Sequence, residues 1–452
     1  MTTTEIASTT DNNIIMIDTD GVPPPPQVDL ETILSVLPLS CNDKSSNKTK
    51  IPPPLHMPAE WSPHSACLIL YPHNPKTFRL EKAQQEILYL AQQIVQEGQE
   101  DVYLLCHDAK TAEIVQGRVH ILMSQQQLKQ SKFSICVRVC PSDDTWARDT
   151  APTFVWWHHS TDGDQPRRLI GLDWNFNAYG GPDGGGLYWP CTNDQNIASH
   201  VCNSPSISAA LHIDGSLDVP LILEGGAIHT DGEGTLLTTK ECLLNPNRNP
   251  HLDQGDIELI LRHSLGIEKV LWLPTGLDAD EDTNGHVDNF CCFAEPGHVL
   301  LAWTDDEEED KENYQRCRRA RLYLQENLDA QGRQLKITKL YLPSPPLRYS
   351  EEEAISLAVS DDENQEESNC IMTRHANEKM AASYINFYIA NQAVLVPQFG
   401  GTAQDTDSKA LETLRQVFPY RSVVGIPSRE ILLGGGNIHC QTQQVPLVHC
   451  EG

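Results

Sequence analysis

No C-x-x-C pair occurs anywhere in this chain, although it holds 14 cysteines. Cys136 and Cys140 stand four apart and Cys291 and Cys292 are adjacent, spacings that do not make a zinc ribbon. A chain of 452 residues does not need a disulfide framework to hold its core. The thiols therefore read as reduced, and the compartment as cytoplasmic. Nor is there a run of about 18 apolar residues, so no membrane-spanning helix is expected. The first twenty residues lack both the basic and the apolar region of a secretory signal, and they lack the arginines of a mitochondrial transit peptide. Basic residues are scarce: 33 Lys and Arg stand against 62 Asp and Glu, a net charge of −29. Phosphate backbones are bound by clustered Lys and Arg, so nucleic acid is excluded as a partner. The acidic balance agrees instead with a soluble protein that attracts a small cation.

What is present divides into a leader and one long α/β body. Residues 1–54 carry PPPP at Pro23–Pro26, a polar run and PPP at Pro52–Pro54. They read as a mostly disordered leader with a short helix around Leu30–Leu37. From residue 55 to 447 strand-like and helix-like segments alternate without a linker, leaving a tail at 448–452. Ala66–Tyr71, VYLLC, ICVRV, TFVWW, KVLWL, HVLLAW and LKITKLYL read as strands. Leu80–Gln96 places apolar residues at helical spacing and stops at Gly98. Further helices are expected near Asp256–Ser264, Glu312–Leu328 and Ser408–Phe418, and SYINFYIANQAVLVPQFG reads as two strands about an Asn-Gln turn. Two acidic tracts, DDEEEDKE from Asp305 and a surface insertion at about 350–370, read as solvated faces or loops.

One segment has an internal echo. LILEGGAIHTD at Leu221–Asp231 aligns with ILLGGGNIHCQ at Ile431–Gln441, so that Gly225, Gly226 and His229 match Gly435, Gly436 and His439. Such a repeat points to one structural unit used more than once with different chemistry. In the second copy Cys440 follows the glycines Gly434, Gly435 and Gly436, where the backbone can approach a ligand closely. Three more motifs carry polar groups: Trp146, Arg148 and Asp149 in DDTWARDTAP, Glu224 in LEGGAIH, and Asp282, His286 and Asp288 in DEDTNGHVDNFCCF. Singly each is ambiguous. A lone Cys is more often an inert core residue, and Asp149 beside Arg148 or Glu224 before two glycines could serve structure alone. Together they supply a thiol nucleophile, an imidazole acid/base, a carboxylate to orient it and two further acids. A thiol hydrolase needs only one orienting group. The surplus of acids makes sense if the group under attack is itself a planar cation. A guanidinium offers its N–H donors in a fork that paired carboxylates match.

These motifs resemble those of the agmatine deiminases, most of all the plant-type enzymes. The likeness runs from MPAEWSPH through GLDWNFNAYGG, ECLLNPNRNPH and SYINFYIAN to GGGNIHCQTQQVP, nearly all of residues 57–446. It implies a propeller of five ββαβ-like units around a central channel that holds the active site. It implies Cys440 as nucleophile, His286 as general acid/base, Glu224 as its partner, and Asp149 and Asp288 as the pair gripping the guanidinium. Asp282 would meet the far amine of agmatine, Trp146 would pack along its methylenes, and the Gly434–Gly436 backbone would line the cavity. No metal or organic cofactor is implied, and a homodimer is. WARDTAP departs from the family pattern at Ala147 and Ala151, and GGPDGGGLYWP is an unusual wording of a glycine-rich loop. Deimination of free arginine or another guanidine and amidino transfer are the enzymatic alternatives. A non-catalytic binding scaffold is a further one.

Overall fold

The computed structural model describes residues 29–37, 55–124, 131–157, 167–357 and 374–448. Among them the fold is mixed α/β, with the strands divided over five small sheets. The sheets share one plan. In the second, His229–Thr230 pairs antiparallel with Thr235–Thr239, which pairs parallel with Lys269–Leu273. The parallel step requires a crossover, and helix Gln254–Leu265 provides it. Cys291–Glu295, His298–Trp303 and Lys336–Tyr341 repeat the arrangement across helix Lys311–Glu326. Tyr388–Ile389, Ala393–Gln398 and Ser422–Pro427 repeat it across helix Gln404–Val417. The first sheet follows the same order with Thr153–Trp157, Arg168–Asn175 and Ile213–Ile222, plus the edge strand Leu55–His56. In the fifth, Thr442–Pro446 pairs antiparallel with His64–Leu70, which runs parallel to Asp101–Cys106 and, beyond it, Ile135–Val139. The last strand of the body thus completes the sheet begun near its start.

Local sequence explains why the crossovers hold. Helix Gln254–Leu265 opens on a capping box: Asp253 accepts from the Asp256 N–H at 2.9 Å, and Asp256 accepts from the Asp253 N–H at 3.1 Å. It buries Ile257, Ile260, Leu261 and Leu265 at helical spacing and ends at Gly266, whose φ of +73° favours glycine.

Several expectations change. The helix from Leu80 is α-helical only to Gln93 and closes through a π-type turn, Ile94–Gly98. Strands Arg168–Asn175 and Ile213–Ile222 and helix Ala109–Met123 are present without having been read from the sequence. Helix Leu30–Val36 exists, and its Ile33 and the following Leu37 are buried with Leu221, Trp174 and Leu265. Part of the segment read as leader therefore docks on the core. The remaining leader, most of the second acidic tract and the tail after Val448 lie outside the described residues.

The acidic tracts are not merely solvated. Asp305 accepts from Trp303 Nε1 at 2.8 Å, Tyr341 Oη at 2.9 Å and Arg318 Nη2 at 3.1 Å. Buried Asp310 pairs with Lys379. Glu353 exchanges hydrogen bonds with Ser350 at the start of helix Glu351–Leu357 and receives a bidentate contact from Arg429 at 2.8 and 2.9 Å. Each of these acids has a fixed partner, which a solvated charge run does not.

Candidate active site

In each of the five sheets the first strand is preceded by a loop or turn that carries one of the polar residues described here. Asp149 lies on the turn Ala147–Thr150 before Thr153–Trp157, and Glu224 precedes the turn Gly225–Ala227 and strand His229–Thr230. His286 and Asp288 precede Cys291–Glu295, Asn386 precedes Tyr388–Ile389, and Cys440 precedes Thr442–Pro446. Residues more than two hundred positions apart are thereby brought together. Cys440 Sγ is 3.5 Å from Asp288 Oδ2 and 3.1 Å from Asn386 Nδ2. His286 Nδ1 is 3.8 Å from Asp149 Oδ1, and its Nε2 is 3.8 Å from Glu224 Oε2. All five of Cys440, His286, Glu224, Asp149 and Asp288 are buried.

Gly226 sits at the focus. A Cβ there would stand 2.6 Å from His286 Nδ1, 2.8 Å from Asp149 Oδ1 and 3.0 Å from Asp288 Oδ2. Its N–H donates to Asp149 Oδ1 at 2.9 Å, while Tyr179 Oη donates to Asp149 Oδ2 at 2.8 Å. Gly436, the counterpart of Gly226 in the echo, has the same use: a Cβ there would meet Trp146 Cζ3 at 2.5 Å and Cys440 Cβ at 3.0 Å. A small cavity is lined by Trp146, Asp149, Tyr179, Asp282, Gly435 and Cys440, and Gly434 and Gly436 also face it. Trp146 is backed by Phe78, with ring centroids 5.6 Å apart.

The charges are set by burial and neighbours. Burial, then Asp288 and Asp149, push the Cys440 thiol well above its ordinary range. Burial alone would lower His286, but Asp149, Cys242 and Glu224 outweigh it and hold the imidazole protonated well above the usual value. Glu224 is lowered despite burial, chiefly by Arg248, whose Nε lies 2.6 Å from Oε1 as an ion pair. Burial raises Asp149; the hydrogen bond and charge of His439 overcome burial and lower Asp288. Neither Asp149 nor Asp288 is paired with a Lys or Arg among the described residues.

Asp282 stands where expected but is already engaged. It lines the cavity, but both of its oxygens are taken by Arg374, at 3.1 Å from Nη1 and 2.5 Å from Nη2. Arg374 Nη2 also reaches the Gly434 carbonyl at 3.3 Å. Glu224, Cys242 and His286 offer ligand atoms within 4.8 Å of one another. Of these, Glu224 is also held by Arg248, with Nε 2.6 Å from Oε1.

Sequence reasoning missed Asn386, Tyr179, Arg248, Glu60 and His439. Asn386 accepts from the His439 and Cys440 N–H groups at 2.9 and 3.3 Å as well as donating to the thiol. The echo marked His439 as a repeated position; the others lie in the stretches that carry the resemblance, MPAEWSPH, GLDWNFNAYGG, ECLLNPNRNPH and SYINFYIAN, but were not singled out within them.

Comparison with known proteins shows the family. The model of the Porphyromonas-type peptidyl-arginine deiminase family matches residues 56–446. The agmatine deiminase of Ectopseudomonas mendocina is 42% identical over 393 residues, 86% of this chain and 95% of that protein. The agmatine deiminase of Pseudomonas aeruginosa is 41% identical over 405 residues, 89% of this chain and 98% of that one. The solved agmatine deiminase of Enterococcus faecalis superposes with a TM-score of 0.72 at 32% identity, covering 89% of this chain and 99% of its own. With its thiol, imidazole and carboxylates gathered from four loops, the chain belongs to the Porphyromonas-type peptidyl-arginine deiminase family, among the agmatine deiminases.

Proposed function

We propose that the protein hydrolyses agmatine to N-carbamoylputrescine and ammonia, in the supply of putrescine. One observation carries the reading. Two buried carboxylates, Asp149 and Asp288, flank the Cys440 region without a Lys or Arg partner among the described residues. For a cation each faces only an imidazole, His286 or His439, and Asp288 Oδ1 has no hydrogen-bond partner among the described residues, which suits a planar cation supplied by the substrate. A guanidinium between them would present its carbon to the thiol.

The roles follow from the charges. In the resting site the thiol is protonated because burial and the two acids oppose a thiolate. A bound guanidinium offsets those same acids and releases the proton. The Cys440 thiolate then attacks the guanidinium carbon. The bond to a terminal nitrogen breaks, and the His286 imidazolium supplies the proton with which ammonia departs. An amidino-thioether remains on Cys440. Water adds to the same carbon as His286 takes up its proton. The carbon–sulfur bond breaks, freeing N-carbamoylputrescine and the thiolate. Glu224 keeps His286 oriented and charged, and Trp146 packs along the methylenes. Asp282 meets the terminal ammonium, which must displace Arg374 to do so.

The five sheets of one plan, the fifth joining strand Thr442–Pro446 to His64–Leu70, support a five-bladed α/β propeller around this channel. A catalytic domain over 55–447, a homodimer, no nucleic-acid partner and a cytoplasmic location complete the reading. A second reading has its own observation: Arg374, at the mouth, offers a cation for the carboxylate of free arginine. Turnover of agmatine against arginine by purified protein decides between them. Ammonia and carbamoylputrescine should form from agmatine, and Cys440→Ala should form neither. Activity surviving in that variant would refute the nucleophile.

A further inference from the structure

Glu60 does not face the cavity, yet it is buried at the meeting point of three catalytic loops. Its Oε1 lies 2.9 Å from His439 Nε2 and 3.3 Å from Arg148 Nη1, and its Oε2 lies 3.4 Å from His229 Nε2. Two of these partners are the echoed histidines, and two are the chain neighbours of Cys440 and Asp149. His439 passes the contact on, with Nδ1 2.9 Å from Asp288 Oδ2. Asp288 Oδ1 is buried and has no hydrogen-bond partner among the described residues.

Both ring nitrogens of His439 thus face carboxylate oxygens at 2.9 Å. A neutral imidazole has one N–H, so one contact would set acceptor against acceptor; the imidazolium satisfies both. Burial and Arg148 oppose that charge, but Glu60 and Asp288 outweigh them and raise the His439 pKa. His229 differs: its Nδ1 accepts from the Phe293 N–H at 3.3 Å, so only its Nε2 carries a proton to turn toward Glu60.

We propose that Glu60 and His439 form a positioning relay, in which the His439 imidazolium holds Oδ2 of Asp288, the oxygen 3.5 Å from Cys440 Sγ, in place for the substrate's guanidinium. The relay rests on the guanidine-hydrolase reading above. It makes Glu60 and His439 positioning residues, acting on substrate only through Asp288. Asp149 has a different support, Tyr179 and the Gly226 N–H. Glu60 touches the Asp149 turn only through the neighbouring Arg148, so losing the relay should loosen the Asp288 jaw first.

Charge-assisted hydrogen bonds of this kind govern affinity by roughly ten- to a hundredfold. Glu60→Gln keeps the shape and removes the charge. It should raise KM for agmatine about tenfold or more, with a smaller fall in kcat. In a Cys440→Ser background the calorimetric affinity for agmatine should fall by the same factor. His439→Asn keeps a donor near Asp288 and should bind more tightly than His439→Ala. Folded Glu60→Gln protein with unchanged KM and affinity overturns the relay. If Glu60→Gln does not fold, equal binding by the Asn and Ala variants at equal Tm overturns it instead. Parent protein without activity on agmatine would refute the substrate reading, whereas an active parent with indistinguishable variants refutes the relay alone.

Discussion

Gly226→Ala tests the site by adding one methyl group at its focus. The new Cβ would stand 2.6 Å from His286 Nδ1, where ordinary contact begins at 3.4 Å. Nδ1 must then retreat by about 0.8 Å, and Asp149 Oδ1 and Asp288 Oδ2 by about 0.6 and 0.4 Å, if the overlap is to be relieved. Gly226 is not among the glycines with positive φ, so alanine meets no backbone strain there. Its N–H bond to Asp149 is kept by any residue. Overpacking of this size costs about 1–3 kcal/mol of stability, which a domain this large survives. A displacement near 1 Å costs a reacting group about a hundredfold. Ammonia release from agmatine should therefore fall about a hundredfold in kcat/KM, while Tm falls by only a few degrees. Gly117→Ala is the control: it lies mid-helix with nothing within 4 Å of the added Cβ. It should gain up to about 1 kcal/mol and leave activity alone. A folded Gly226→Ala protein with parental kcat/KM would show that His286, Asp149 and Asp288 are not the groups around the reacting carbon.

Arg374→Ala should lower KM for agmatine severalfold, because Asp282 loses its internal competitor, and Asp282→Ala should raise it about tenfold; unchanged KM in both would make the pair purely structural. Arg248→Leu leaves Glu224 buried without its counter-ion and should cost about 3–5 kcal/mol in urea unfolding; a loss under 1 kcal/mol would contradict the burial of that charge. Arg429 holds Glu353 down to a pKa of about 2, below its unfolded value. The pair should therefore stabilise fully above the unfolded value near 4.3, and its contribution should fade as pH drops toward 2. The gap in unfolding free energy between parent and Arg429→Met should be about 1–3 kcal/mol at pH 7 and shrink by pH 3; a pH-independent gap would exclude the charge as its cause.

The sequence exposed much of this arrangement because catalysis uses residue types that are conspicuous beside glycine. Cys440, His286, Glu224, Asp149 and Asp288 all lie in motifs with turn-forming neighbours, on the loops that precede first strands. Apolar runs such as KVLWL and HVLLAW become strands because both faces are buried. Ile213–Ile222 went unread because IDGSLDVPLI breaks its apolar run with Gly215 at φ +138° and with Pro220. Asn386 sits among apolar residues in SYINFYIAN, where a lone amide reads as part of a strand; only the closure of the fifth sheet brings it to Cys440. Glu60 reaches His439, and Arg374 reaches Asp282, across more than ninety residues of chain, partners that no spacing rule connects to them. Asp282 shows the converse: its position was legible and its partner was not.

The buried groups also make a charge balance that the separate motifs do not reveal. The carboxylates Glu60, Asp149, Glu224 and Asp288 face the cations Arg148, Arg248, His286 and His439. With those charges matched, a thiolate at Cys440 would be an unbalanced buried anion, which is why the thiol is held protonated. A guanidinium adds one positive charge to the site, and ionising Cys440 restores neutrality. Binding should therefore release close to one proton per site near pH 7.5, read in weakly buffered solution with a non-hydrolysable guanidine. The same titration in Cys440→Ala should release almost none. Equal release from both proteins would place the proton on another group, with His286 the first to examine, and would mean that the thiol is not activated by its substrate.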